Sequence, residues 1–281
     1  MKELSLREIQ LGELAILKRL DEVCREQGLR YFLFGGTMIG AVRHQGFIPW
    51  DDDIDIAMPR KDYDRLLAWW QEHAAQEEPL RMITIDTNPD YVYAIARLSD
   101  VRYRVDYEGV KNYGLGLFVD IYPFDGCGNS QEEAEPILRA ALQDARMTLL
   151  TAVDHFSASR SGGALRTAAK FAGYMWARLH GSRYYIRRLI QRAKAHPYEQ
   201  SDYVGCTIWD PNFLYIYRRE DLEELIDVPF EDGVFPIPAA YDRVLRHSYG
   251  DYMQLPPEED RVGQHYYKAY LREETKEEES R

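Results

Sequence analysis

The chain has 281 residues, 45% of them hydrophobic, with 35 Lys and Arg against 47 Asp and Glu for a net charge of −12. That length and composition suit one large or two small packed domains and exclude a disordered or fibrous chain. No stretch approaches the ~20 consecutive apolar residues that span a bilayer, and the three cysteines, Cys24, Cys127 and Cys206, lack the spacing of a disulfide framework or zinc site. Ser5, with Glu8 three residues on, has the spacing of a capping box, and an amphipathic helix is predicted from there to Gln27, stopped by Gly28. The first ten residues, MKELSLREIQ, are charged and lack a signal-peptide core, so the expectation is a cytoplasmic protein.

Tyr31 to Phe34 reads as a short buried strand, followed by Gly35, Gly36 and Thr37 and then helical character from Met38 to His44. A strand, a glycine turn and a hydroxyl N-cap at Thr37 set backbone N–H groups at a helix N-terminus, where phosphate is attracted. No Walker A sequence occurs in the chain. Arg43 and His44 follow, within reach of such a phosphate; for His44 a surface role is the alternative.

Asp51, Asp53 and Asp55 then recur at every second residue, alternating with Ile54 and Ile56. Period two predicts a strand with the carboxylates on one face and the isoleucines on the other. Adjacent carboxylates repel unless they share a cation, and hard oxygen ligands favour Mg²⁺ or Mn²⁺. An EF-hand is excluded, because Ile56 stands where its loop needs glycine and Asp62 where it needs glutamate.

Further along, a helix is expected around Lys61 to Ala74, with Leu66, Leu67 and Trp70 among its apolar residues. Short strands are expected at Arg81 to Ile85, Tyr91 to Leu98 and Tyr103 to Val105. The run Gly116-Leu117-Phe118-Val119-Asp120-Ile121-Tyr122 reads as an apolar strand holding one charge, and Asp120 is the candidate third carboxylate, since an isolated aspartate there is costly to bury unpaired. Asp125, before Gly126, reads as a turn residue. From Gln131 to about His196 the pattern is helical; then come short strands, a helix near Glu220 to Ile226, another from Ala239 to Tyr249, and a charged tail from Glu273 that is expected to fray.

The string GGTMIGAVRHQGFIPWDDDIDI resembles the signature of the LicD-type phosphotransferase family, which is also similar to the catalytic domains of fukutin and fukutin-related protein. FVDIYPFDG is similar to the family's second acidic strand, and Phe235 to His265, with YGDYMQLPPEEDR, more loosely to its C-terminal block; residues 127–212 match no motif. The resemblance implies an α+β, nucleotidyltransferase-like fold: a mixed sheet flanked by helices, here with a largely helical middle segment. It divides the chain into a catalytic core at 1–126, a helical basic segment at 127–200 and a C-terminal α/β portion at 201–281. It implies Gly35, Gly36 and Thr37 at the donor phosphates, Asp53, Asp55 and Asp120 as ligands of Mg²⁺ or Mn²⁺, and Asp51 as a supporting acid. Arg97, in AIARLSD, and His265 are further candidates for donor or acceptor contacts, with a salt bridge or surface position as the alternative.

The implied reaction is metal-dependent transfer of a phospho-group from a nucleoside-diphosphate-linked donor. CDP-choline is favoured as donor, giving phosphocholine on a hydroxyl of a surface glycan or teichoic-acid precursor, and the 21 tyrosines and five tryptophans offer rings for a quaternary ammonium. Rivals are a nucleotidyltransferase, which releases pyrophosphate instead of a nucleoside monophosphate, a metal-dependent glycosyltransferase, and a non-catalytic binding protein that kept the fold. Between 156 and 197 lie nine basic residues and no acidic one, which leaves −21 for the rest of a chain whose net charge is −12. With aromatics interleaved, that segment suits peripheral contact with the anionic inner face of a membrane bearing a lipid-linked acceptor. The acidic remainder disfavours nucleic acid.

Overall fold

The computed structural model describes residues 2–107, 114–152, 163–208, 216–263 and 267–272. It is an α+β protein built on a mixed sheet flanked by helices, in agreement with the sequence reading. Helix α1 (Leu6–Gln27) starts on the expected capping box: the Ser5 hydroxyl accepts from the Glu8 N–H and the Ser5 N–H donates to the Glu8 carboxylate at 2.8 Å. It ends at Gly28, whose φ of 60° is the left-handed conformation a helix stop requires. Ile16, Leu17, Leu20 and Val23 form its fully buried stripe, and the helix packs on the central strands.

The sheet is assembled from β1 (Phe32–Leu33), β2 (Asp55–Pro59), β3 (Leu80–Ile83), β4 (Ala96–Asp100) and β6 (Leu117–Gly126), in the order β1-β2-β6-β4-β3. Only the β2–β6 pair is parallel in that row. Helices α2 (Gly35–His44) and α3 (Arg60–His73) connect the first strands, and α3 buries Leu66 and Trp70 as its spacing predicts. Strand β5 (Tyr103–Tyr107) pairs with β11 (Tyr267–Leu271), and β7 (Tyr203–Gly205) extends the sheet beyond the end of β6, carrying β8 (Ile216–Arg218).

β6 is buried along all ten residues, and this corrects the reading of Asp125. Rather than turning the chain it sits inside the strand, 1% exposed, and accepts from Arg60 Nε at 2.8 Å and Nη2 at 2.6 Å. The strand continues because Asp125 and Gly126 pair with β7.

The helical middle segment is α4 (Gln131–Ala152), α5 (Ala164–His180) and α6 (Ser182–Lys194). The helix expected near Glu220 to Ile226 is a single turn, α7 (Glu220–Glu223). Its continuation, LIDVPF, is β9 (Leu225–Phe230), which pairs with β10 (Gly233–Pro238), because the β-branched residues and Pro229 disfavour helix. Helix α8 (Tyr241–Tyr249) follows. The three cysteines are buried and unbridged. No helix among the described residues is long and apolar enough to cross a membrane. The tail from Glu273 lies outside the described residues.

Candidate active site

Three side chains meet because their strands are in register. Asp55 on β2 is the parallel partner of Asp120 on β6, and Arg97 on β4 is the antiparallel partner of the same Asp120. Directly paired residues project to one face of a sheet, so the three form a single rung. Arg97 donates from Nε to Asp120 Oδ1 at 2.5 Å and from Nη2 to Oδ2 at 3.2 Å. Its guanidinium lies 4.2 Å from the Phe118 ring centroid and 4.6 Å from that of Tyr93, a desolvated setting in which each charge depends on the other. Arg97 is therefore the built-in counter-ion of Asp120, as well as part of the cavity wall.

The acidic run differs in form from the predicted strand. Only Asp55 lies in β2; Asp51 to Ile54 precede it as an irregular segment. β1 is just two residues long and does not reach them, and from β6 the Asp120 N–H donates to the Ile54 carbonyl at 2.9 Å. Side-chain anchors replace the ladder: Gln10 Nε2 donates to the Asp51 carbonyl at 2.8 Å and Tyr267 Oη to the Asp52 carbonyl at 2.7 Å. The alternation survives all the same. Asp51, Asp53 and Asp55 line one cavity, whereas Ile54 and Ile56 are fully buried; Asp52, 7% exposed, is not among the lining residues but keeps an oxygen near those of Asp51 and Asp53.

The glycine turn also departs from expectation in one respect. Helix α2 begins at Gly35, with Phe34 as its N-cap, so Thr37 lies within the first turn instead of capping it. The Thr37 hydroxyl accepts from the Asp55 N–H at 2.8 Å and so ties the helix start to β2. Gly35 has φ of 58°, and a Cβ there would meet Asp55 Oδ2 at 3.1 Å; one on Gly36 would meet Asp51 Oδ2 at 3.0 Å. Gly35 needs glycine for its left-handed backbone, and at both positions a Cβ would crowd a carboxylate. The uncapped N–H groups of that turn face the same cavity as the acids.

Like charges crowd this corner. Burial, then the neighbouring Asp53, Asp120 and Asp51, hold the Asp55 carboxyl well above its ordinary range, partly offset by a hydrogen bond from Tyr122. Behind it on α1, burial raises the Glu13 carboxyl, and Asp53, Asp52 and Asp51 add to the rise. Asp55 Oδ1 is buried and has no hydrogen-bond partner among the described residues. Asp51, Asp52 and Asp53 offer oxygens within 4.8 Å of one another. An orphaned carboxylate oxygen amid mutually repelling acids is a donor set that fits a hard divalent cation.

Arg43 reaches the cavity from the end of α2, with Nη1 on the Tyr252 carbonyl at 2.6 Å. His44 stands behind it, its Nε2 accepting from Arg43 Nε at 2.9 Å, and burial followed by the Arg43 charge lowers its pKa, keeping it neutral. It supports Arg43 and is not among the cavity-lining residues. His265 lies outside the described residues.

Gly35, Gly36, Arg43, Asp51, Asp53, Asp55, Arg97 and Asp120 thus come together around one cavity of about 840 Å³, and Thr37 adjoins it through Asp55. The sequence reading missed the rest of its walls: Phe34, Trp50 and Tyr122 on one side, Tyr249, Asp251 and Tyr252 on the other. Tyr122 was discoverable, standing two positions from Asp120 and so on the same face of β6. The wall from Tyr249 to Pro257 lies about two hundred residues from the glycine turn; the likeness of YGDYMQLPPEEDR to the family's C-terminal block marked the stretch but gave its residues no place in the site.

The model of a family described as LicD/FKTN/FKRP, nucleotidyltransferase domain, matches residues 28–137. The lipopolysaccharide cholinephosphotransferase LicD of Haemophilus influenzae is 31% identical over 280 residues, covering 96% of this chain and all of that protein. Human and mouse ribitol 5-phosphate transferase FKRP are each 45% identical over 40 residues, 14% of this chain and 8% of theirs.

Proposed function

The chain belongs to the LicD family, and from that premise we propose that it moves phosphocholine from CDP-choline to a hydroxyl of a cell-surface glycan or teichoic-acid precursor, releasing CMP. It is a phosphotransferase enzyme, as its likeness to LicD and to the ribitol 5-phosphate transferases requires. The observation that carries the finer reading is the cavity itself: four aspartates beside an open helix start, faced by aromatic rings. Trp50, Tyr122, Tyr249 and Tyr252 supply π-faces for a quaternary ammonium, and Asp251 a nearby negative charge.

In this reading the N–H groups of Gly35 and Gly36 grip the donor phosphates at the positive end of α2. Asp53, Asp55 and Asp120 are the residues to hold Mg²⁺ or Mn²⁺, which when bound polarises phosphoryl oxygens and neutralises charge on the leaving phosphate. The acceptor hydroxyl oxygen attacks the distal phosphorus in line; the bond from that phosphorus to the bridging oxygen breaks, and the electron pair leaves with CMP. Asp51, whose carboxylate lines the cavity against Gly36, takes the hydroxyl proton. Arg43 adds positive charge at the cavity edge.

The test is nucleotide release from CDP-choline, CDP-ethanolamine, CDP-glycerol, CDP-ribitol and nucleotide sugars, with Mg²⁺ or Mn²⁺ and a lipid-linked glycan fraction. Metal-dependent CMP release from CDP-choline, absent in Asp53→Ala, is the expected result. Turnover of another donor replaces phosphocholine; pyrophosphate release replaces the reaction type.

A further inference from the structure

Two arginines line the cavity, and they are differently placed. Arg97 is committed to Asp120 through both carboxylate oxygens. Arg43 pairs with no acid among the described residues. Its Nη1 donates to the Tyr252 carbonyl at 2.6 Å and its Nε to His44 Nε2 at 2.9 Å, while Nη2 has no hydrogen-bond partner among the described residues. A half-buried guanidinium held only by neutral acceptors has lost part of its hydration and gained no opposite charge in contact, a deficit that a bound anion makes good. Burial accordingly lowers its pKa, with the Asp51 charge acting the other way.

Gly36, Ile39 and Arg43 line the cavity from one face of α2, at helical spacings of three and four. Arg43 stands about 10 Å along the axis from Gly36 at 1.5 Å per residue, and helical side chains lean back towards the N-terminus. Asp51 links the two ends. Its Oδ2 would lie 3.0 Å from a Cβ on Gly36, and it is the carboxylate whose charge acts on Arg43. The guanidinium and the open N–H groups of the glycine turn therefore address one stretch of cavity. His44 sets the direction of the fork. Because its Nε2 accepts, its ring proton is on Nδ1. The ring meets Trp50 edge to face, with centroids 6.5 Å apart, and Trp50 is itself cavity wall. With Nε and Nη1 both held, the plane of the guanidinium is fixed and its Nη2 edge is left for a ligand.

We infer, resting on the nucleotide-linked donor proposed above, that Arg43 binds the phosphate that stays with the nucleoside, and that His44 is the positioning residue that aims it. A planar guanidinium offers N–H donors to two phosphate oxygens at once. The acids of the cavity would repel such an anion unless a cation stood opposite them, and Arg97 is already taken. His44 is absent from the cavity-lining residues, so it acts through Arg43 and not on the ligand.

The test is calorimetric binding of CMP and of cytidine, with Mg²⁺ present, to the full chain and to Arg43→Gln, Arg43→Lys, His44→Phe, His44→Gln and the double variant Arg43→Gln, His44→Phe. Circular dichroism checks that each folds. The ratio of CMP to cytidine affinity isolates the phosphate contact, whereas general damage to the site lowers both ligands together. Arg43→Gln is expected to lower that ratio about tenfold or more, and Arg43→Lys to recover only part of it. His44→Phe should lower it about threefold and His44→Gln, whose amide oxygen can accept in place of Nε2, should restore it. In the Arg43→Gln background His44→Phe should change nothing further. A CMP preference undiminished in Arg43→Gln overturns the inference and leaves the nucleotide reading standing. A His44→Phe loss that persists in that background overturns the positioning role and makes His44 a ligand contact. No CMP preference in the unaltered protein overturns the nucleotide reading, and this inference with it.

Discussion

At the scale of single residues, the site depends on groups that hold the carboxylates in place as much as on the carboxylates. Thr37 is the clearest case. Its hydroxyl is the acceptor for the Asp55 N–H, and its removal strands a backbone donor in a buried corner. Thr37→Val is therefore expected to lose about 1–3 kcal/mol of stability in urea unfolding and to lower turnover, while Thr37→Ser restores both. Unchanged stability in the valine variant would remove the positioning role. Asp55 and Asp120 were legible because each is a charge set in an apolar strand, a placement that needs a partner. The identity of that partner was not: Arg97 meets Asp120 only through the β4–β6 register, which joins residues 23 apart in sequence. Glu13 escaped notice for the same reason, since on α1 it reads as one more polar position until the acid loop is folded over it.

Elements were legible where their ends carry chemistry of their own. α1 runs as predicted from its capping box to its left-handed glycine. Ser5→Ala should cost it about 1 kcal/mol, because the Glu8 N–H loses its acceptor. Thermal unfolding measures that cost. The helix also anchors the acid loop through Gln10, so the same variant should weaken divalent-cation binding in calorimetry more than a surface substitution elsewhere on α1. The acid strand and the β9–β10 hairpin were read less well. Alternation of side chains persists through Asp51 to Ile54 without any strand, because a cavity and a core on opposite sides impose it as effectively as a ladder does. Around Glu220, a helix-favouring acidic run adjoins β-branched residues, and tertiary pairing with β10 sets the boundary between them.

Across the whole molecule, crowded acid makes stability depend on pH. Glu13 is fully buried, with its carboxyl raised well above the ordinary 4.5 by burial first and the neighbouring aspartates second. Above 4.5 an unfolded glutamate releases its proton while folded Glu13 keeps it, so the folded state binds more protons. Stability contributed by this group consequently falls as pH rises towards its folded value, and is fully present only below 4.5. Glu13→Gln, which cannot ionise, should leave the melting temperature unchanged near about pH 4 and raise it near about pH 8. Parallel melting curves of the two proteins across that range would expose the error if the difference did not grow with pH. The class of fold was readable from the spacing of its elements and from the family signature, but the joining of distant segments was not, and nowhere does this matter more than at the far cavity wall. Tyr252, Leu255, Pro256 and Pro257 stand opposite the glycine turn, and Arg43 fastens that wall to α2 through the Tyr252 carbonyl. Any enzyme that hands a phosphate ester to an alcohol competes with solvent, which is a nucleophile in vast excess. In the proposed reaction the carboxylates would treat both nucleophiles alike, which leaves the choice between transfer and wasteful hydrolysis to a stretch of chain that carries none of the acids of the rung.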